Sequence, residues 1–257
     1  MDKYNVYQDM SRRTGGEIYL GIVGPVRTGK STFIKRFMEL VVIPEMTDDN
    51  EKVRTIDELP QSADGKTIMT TEPKFIPKEA AVIHFSNQET GKIRLIDCVG
   101  YLVPEAVGAI EEEKERMVKT PWSEEEIPFS KAAEIGTSKV IREHSNLGLI
   151  ITTDGSFGDI AAANFEEALQ KTVMECEKAG KPFLILVNTS RPDSQETIQF
   201  TKRLEVQYGK TVMAGIVRQW IERMCFVSWS SCWRIFRLQG SISCFLSGLN
   251  FCSRITG

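Results

Sequence analysis

The sequence predicts an α/β protein built on a mostly parallel sheet with one antiparallel hairpin, and three observations carry that expectation. Apolar runs rich in β-branched residues recur at 17–23, 80–85, 93–98, 147–152 and 183–188, most of them separated by helical stretches. The second and third runs are joined only by the polar, glycine-containing segment 86–92, too short for a crossover helix and suited to a hairpin. A glycine-rich turn, 24–32, follows the first run and opens a helical stretch.

Helices are expected at 29–41, 130–143, 162–179 and 194–208. In the third of these, Phe165, Leu169, Val173 and Cys176 keep a helical spacing that would place them on one face. Segments 44–66 and 101–129 lack strong periodicity. Their acidic runs, including Asp48, Asp49 and Glu51 and then Glu124, Glu125 and Glu126, read first as solvated surface and second as a contact face for a basic partner.

Composition narrows the function classes. The chain has 257 residues, 41% apolar and 26% charged, with a net charge of −3, so it can bury a core and carries no dominant basic stripe for nucleic acid. The first sixteen residues are polar, and no run reaches membrane-spanning length; a cytoplasmic protein is expected. Six cysteines without a C-x-x-C pair, and two distant histidines, His84 and His144, argue against zinc.

The turn after the first strand defines the expected chemistry. Gly24, Pro25, Val26, Arg27, Thr28, Gly29, Lys30, Ser31 and Thr32 match a phosphate-binding P-loop in both pattern and context. Gly24 and Gly29 permit backbone dihedrals that a side chain would forbid, so successive N–H groups can turn inward around phosphate oxygens at a helix N-terminus. Lys30 would bring a positive charge to the β- and γ-phosphates, and the Ser31 hydroxyl an oxygen to Mg2+.

A second motif follows the hairpin. Asp97, Cys98, Val99 and Gly100 form a D-x-x-G at a strand end, where Asp97 would hold Mg2+ through water and the Gly100 N–H would meet the γ-phosphate. A P-loop, then a hairpin, then D-x-x-G is the arrangement of the translation-factor-like class of P-loop NTPases. Ras-like enzymes often place a water-orienting glutamine next; here it is Tyr101. Thr70 and Thr71, where a switch threonine would sit, are the substitutes, and the double threonine does not separate them. Arg27 is an electrostatic substitute for an external arginine.

Base recognition departs from GTPases, which end the relevant strand in Asn-Lys-x-Asp. Asn188 is kept, but Thr189 replaces the lysine and Arg191 the aspartate, so guanine donors lose their charged acceptor. ATP is the expected nucleotide, with a GTPase-like switch of altered base recognition, or a nucleotide-stabilised scaffold, as the competing readings.

The motifs at 24–32, 69–77 (Met-Thr-Thr-Glu-Pro-Lys-Phe-Ile-Pro), 95–101 (Leu-Ile-Asp-Cys-Val-Gly-Tyr) and 152–156 (Thr-Thr-Asp-Gly-Ser) resemble those of the stage IV sporulation protein A family of spore-coat morphogenetic ATPases. The resemblance spans roughly 1–208. It implies a translation-factor-like fold that hydrolyses ATP to drive polymerisation into the basement layer of the spore coat, at the outer forespore membrane facing the mother-cell cytoplasm; with no glutamine after Gly100 and no evident arginine finger, turnover is expected to be slow. It implies Lys30 as the P-loop lysine, Asp97 as the magnesium aspartate and Thr70 and Thr71 as the γ-phosphate sensors. Its implied partners are further copies of itself, spore-coat proteins and a small amphipathic membrane peptide, the last two through C-terminal regions that this sequence does not match.

Residues 1–208 are thus expected to form the P-loop ATPase domain. Segment 209–257 changes character: it holds four of the six cysteines and three of the four tryptophans but one acidic residue, Glu222. It reads as an aberrant, frameshifted tail that retains a last sheet strand within 211–217. The competing reading is an amphipathic membrane-surface tail, whose apolar residues would need a steadier helical face than these keep.

Overall fold

The computed structural model describes residues 17–60, 72–84, 90–106, 110–111 and 114–219. Its centre is a six-stranded sheet of order β10-β9-β8-β1-β3-β2. The strands are β1 (Glu17–Val23), β2 (Lys74–His84), β3 (Thr90–Asp97), β8 (Leu147–Thr153), β9 (Phe183–Asn188) and β10 (Val212–Gly215). Every neighbouring pair is parallel except β2 with β3, the expected hairpin.

The sheet is covered on both faces, which explains why its central strands read as continuous apolar runs. Every residue of β8 and β9 is buried. Alternate residues divide between two cores: Ile22, Leu95, Ile151 and Leu186 face one, and Val23, Ile96, Ile150 and Ile185 the other. The first core is closed by α1 (Lys30–Phe37), through Phe33, Ile34 and Phe37, and by a π-helical turn, Met38–Val42, that extends it. The second is closed by Val140 and Ile141 at the end of α3 (Phe129–Lys139), by Leu169, Val173 and Cys176 of α4 (Glu166–Lys178), and by Leu204 of α5 (Gln195–Tyr208). Each such fully buried aliphatic side chain contributes roughly 1.5–3 kcal/mol.

One aperiodic segment is ordered as a helix. Helix α2 (Asp49–Glu58) starts from Asp48, whose carboxylate accepts from the N–H groups of Asn50 (2.7 Å) and Glu51 (3.4 Å). The acidic run expected to be plain solvated surface is therefore also a capped helix N-terminus, where carboxylates are favoured. Its periodic signal is absent because α2 buries only Thr55 and leaves Val53 and Ile56 exposed. The segment after β3 forms two separate hairpins, β4 (Ile110–Glu111) with β5 (Lys114–Glu115) and β6 (Met117–Thr120) with β7 (Ser123–Pro128); Glu124, Glu125 and Glu126 are exposed.

Past residue 208 the chain continues the sheet. Gly209, at φ 60°, ends α5, and β10 pairs in parallel with β9 from Val212 opposite Ile185 to Gly215 opposite Asn188. The bulk of the tail expected to be aberrant lies outside the described residues. No helix among the described residues is long and apolar enough to cross a membrane.

Candidate nucleotide site

All the sheet elements that carry the predicted motifs end at one edge of the fold. Strand β1 stops at Val23, and the loop leaves it pressed against β8. A Cβ on Gly24, whose φ is 127°, would lie 2.4 Å from the Ile151 carbonyl oxygen. At the far end Gly29 has φ 95°, and a Cβ there would lie 2.6 Å from Asn188 Nδ2. Both positions need glycine for space as well as for conformation. Between them the Thr28 hydroxyl donates to the Pro25 carbonyl (3.0 Å), tying the loop across itself, while Arg27 is exposed and adopts a left-handed φ of 61°. Thr32 is half-buried in the first turn of α1.

Lys30 is buried beneath this loop. Its ammonium donates to the Pro25 carbonyl at 2.5 Å and reaches the Gly24 carbonyl at 3.4 Å. Burial pushes its pKa below the usual lysine range, against the opposing pull of Cys98 and Asp97, so an anion entering the loop would restore the charge that burial disfavours. Asp97 faces the same point from the end of β3. The Ser31 hydroxyl donates to Asp97 Oδ2 (2.9 Å), whereas the buried Oδ1 has no hydrogen-bond partner among the described residues. Burial raises the Asp97 pKa, opposed by the Ser31 hydrogen bond and by Lys30.

This donor set fits Mg2+. A serine hydroxyl and one carboxylate whose second oxygen is unpartnered form a hard-oxygen corner of the kind Mg2+ takes alongside waters and substrate phosphates. Gly100 closes the corner: at φ 93°, a Cβ there would meet the Gly24 carbonyl oxygen at 2.2 Å and Lys30 Nζ at 2.6 Å. The P-loop and the D-x-x-G loop run side by side beyond the strands, with the Val26 N–H donating to the Tyr101 carbonyl (2.9 Å).

The base-recognition side is built around Asn188. Its Nδ2 donates to the Thr28 carbonyl (3.0 Å) and its Oδ1 accepts from the Val217 N–H (3.0 Å), so one side chain joins the P-loop to the segment after β10. Beside it the buried Thr189 hydroxyl donates to Asp154 Oδ2 (2.6 Å), which also accepts from the Thr197 hydroxyl (3.0 Å). Asp154 Oδ1 accepts from the Ser156 N–H (3.0 Å). Burial works to raise the Asp154 pKa, but these hydrogen bonds outweigh it and hold the carboxyl below its usual range. Arg191, where a guanine-reading aspartate would stand, pairs with Glu196 (3.3 Å).

With this geometry in place, similarity to known proteins identifies the family. The family model for the stage IV sporulation protein A ATPase domain matches residues 1–224. The chain belongs to the stage IV sporulation protein A family. Stage IV sporulation protein A of Bacillus subtilis (strain 168) is 53% identical over 214 residues, 83% of this chain and 44% of that protein. The protein of the same name from Clostridioides difficile (strain 630) is 48% identical over 209 residues, 81% of this chain and 43% of that one. The chain thus spans less than half the length of these relatives. Among solved structures, Era of Aquifex aeolicus is similar at 12% identity and a TM-score of 0.44, over 79% of this chain and 52% of that one.

In this member of the stage IV sporulation protein A family, the structure brings together most of the residues that the sequence singled out. Gly24 to Thr32, Asp97, Gly100 and Asn188 converge; Thr70 and Thr71 lie outside the described residues. Cys98 is buried and its Sγ donates to the Ile22 carbonyl (3.5 Å); burial pushes the thiol up to about 11, so it is an inert packing group.

Two participants in this family member were not singled out by motif reading. Val217 follows a strand in a segment whose composition looked foreign to the domain, so nothing in its neighbourhood signalled a role. Asp154 sits in the Thr-Thr-Asp-Gly-Ser segment that helped to carry the family resemblance, and its position at the end of an apolar strand was the available signal.

Proposed function

We propose that this chain binds ATP with Mg2+ and hydrolyses it to ADP and phosphate, and that in the full-length family this hydrolysis drives polymerisation during assembly of the spore-coat basement layer. The observation that carries the reading is the Ser31–Asp97 corner with its unpartnered buried Oδ1, set under a glycine-bounded loop that holds Lys30. Membership of an ATPase-domain family supports the hydrolytic part.

In this reading the backbone N–H groups from Gly24 to Ser31, together with Lys30, hold the phosphates. The Ser31 hydroxyl and Asp97 arrange the metal, whose charge, when bound, offsets the charge that develops on the transferring phosphoryl group. Gly100 presents its N–H to the γ-phosphate, and Thr70 or Thr71 senses its loss. Adenine is preferred because the position of a guanine-reading carboxylate is taken by Arg191, and the nearby Asp154 carboxylate is already engaged by Thr189 and Thr197. Turnover is slow, since Tyr101 offers no water-orienting amide and no external arginine is evident, with the exposed Arg27 of the loop as an electrostatic substitute.

The cellular setting belongs to the same proposal. Self-association, contacts with spore-coat proteins and with a small amphipathic membrane peptide, and residence in the mother-cell cytoplasm at the outer forespore membrane would depend largely on the remaining length of the family's chains. Mg2+-dependent ATP hydrolysis by the chain and by Lys30→Ala tests the site assignment. The variant should lose binding or cleavage, and normal turnover by it would reject the assignment.

A further inference from the structure

Tyr101 holds the position next to the γ-phosphate glycine, yet its side chain is turned into the protein rather than toward the phosphates. It is 3% exposed and packs in a small core with Val26, Val103, Ile160, Phe165 and Ala168. Its hydroxyl donates to Glu175 Oε2 (2.9 Å) on α4, and the other oxygen of Glu175 accepts from Arg142 (3.1 Å). Lys171, itself paired with Glu134, lies 5.0 Å from the centroid of the ring.

The backbone of the same residue is held from the opposite side, because its carbonyl accepts from the Val26 N–H at 2.9 Å. Tyr101 is therefore clamped between the P-loop and α4, and Gly100, one residue earlier, sits so close to the P-loop that a Cβ on it would lie 2.2 Å from the Gly24 carbonyl oxygen. A glycine can take many backbone conformations, so the direction of its N–H must be set by its neighbours. The Tyr101 side chain is a fixed point beside it: a buried phenol with a charge-assisted acceptor that is itself held by an arginine.

We propose that Tyr101 is a positioning residue that, through its hydrogen bond to Glu175, fixes the Gly100 N–H where it meets the γ-phosphate and so lets the site distinguish a triphosphate from a diphosphate. This rests on the nucleotide reading given under Proposed function. It assigns to Tyr101 no contact with substrate and no role in activating water. Glu175 is the second half of the device, and Arg142 holds Glu175 in place.

Equilibrium binding of Mg·ADP and of the Mg complex of a β,γ-imido ATP analogue tests the proposal without requiring turnover. Tyr101→Phe removes only the hydroxyl. It should narrow the preference for the analogue over ADP by about fivefold or more, a coupling of ordinary size between linked sites, while ADP affinity stays within about twofold of the wild-type chain. Glu175→Ala reads the same bond from the α4 end without altering the loop and should reproduce the loss. The double variant should be no worse than either single one, and Glu175→Gln, which keeps an acceptor oxygen, should recover much of the preference.

An unchanged preference in Tyr101→Phe, additive losses in the double variant, or an ADP affinity that falls in step with that of the analogue would each overturn the proposal. A wild-type chain that binds neither ligand would reject the nucleotide reading and this inference together. A wild-type chain that prefers the analogue, beside a Tyr101→Phe that does so equally, would reject the inference alone.

Discussion

Ser31 and Asp97 stand sixty-six positions apart in sequence, and the serine hydroxyl donates to the aspartate Oδ2 at 2.9 Å. The contact exists because β1 and β3 are parallel neighbours, in register from Glu17 opposite Lys92 to Ile22 opposite Asp97, so the loops that follow both strands emerge together. It leaves Asp97 Oδ1 buried and without a partner among the described residues, where a bound divalent ion would supply one.

Gly100 is the tightest point of the site. Gly100→Ala would place a methyl group 2.2 Å from the Gly24 carbonyl oxygen and 2.6 Å from Lys30 Nζ, at a φ of 93° that side chains rarely adopt. The loop must shift, at a cost of about 1–3 kcal/mol of local strain. Steady-state kinetics should show ATP turnover falling about tenfold or more, with the fold retained by circular dichroism; unchanged turnover would mean that Gly100 is not at the γ-phosphate.

Asn188 links two loops that otherwise depend on long-range packing. Asn188→Ala leaves the Thr28 carbonyl and the Val217 N–H without their bonds, and the site is buried. Chemical denaturation should show a loss of about 2–4 kcal/mol, accompanied by weaker nucleotide binding. A stability within 0.5 kcal/mol of wild type, roughly the scatter of surface substitutions, would show that the link is dispensable.

Asp154 makes stability depend on pH in a defined direction. Its folded pKa lies below the ordinary carboxylate value, so its contribution is present above that value and is lost as pH falls through the folded pKa. Asp154→Asn should cost about 1–2 kcal/mol at pH 7, a range reduced for the partial exposure of the group. The gap between the two proteins should close as pH drops below about 4. A gap that widens in acid would reverse the assignment.

Base preference follows from the same region. Equilibrium competition should favour ATP over GTP by about tenfold or more, since Arg191 stands at the position of the guanine-reading carboxylate and Asp154 is engaged by Thr189 and Thr197. Tight GTP preference would contradict the argument from Thr189 and Arg191.

Much of the architecture was legible because covered parallel strands and a P-loop leave strong local marks. The boundaries of β1 and β9 fall at the apolar runs themselves, and the glycine pair 24 and 29 announced both the loop and its steric need. What was not legible depended on distant chain. Helix α2 lacks an apolar face, so only Asp48, as a capping residue, could have marked it. Strand β2 begins at Lys74 rather than near residue 80, because its first half pairs with the end of β3 after a shift in register between Ile76 and Ala81. That Tyr101 is unsuited to orienting water could be read from its type; that its phenol is tied to Glu175, seventy-four positions away, could not.

The most direct measurement is single-turnover cleavage of ATP labelled at the γ-phosphate, with Mg2+, by the wild-type chain and by Asp97→Ala. The account predicts labelled phosphate released by the wild-type chain and little or none by the variant. Quantitative return of uncleaved ATP from a wild-type chain that binds it, or equal release by both proteins, would contradict it.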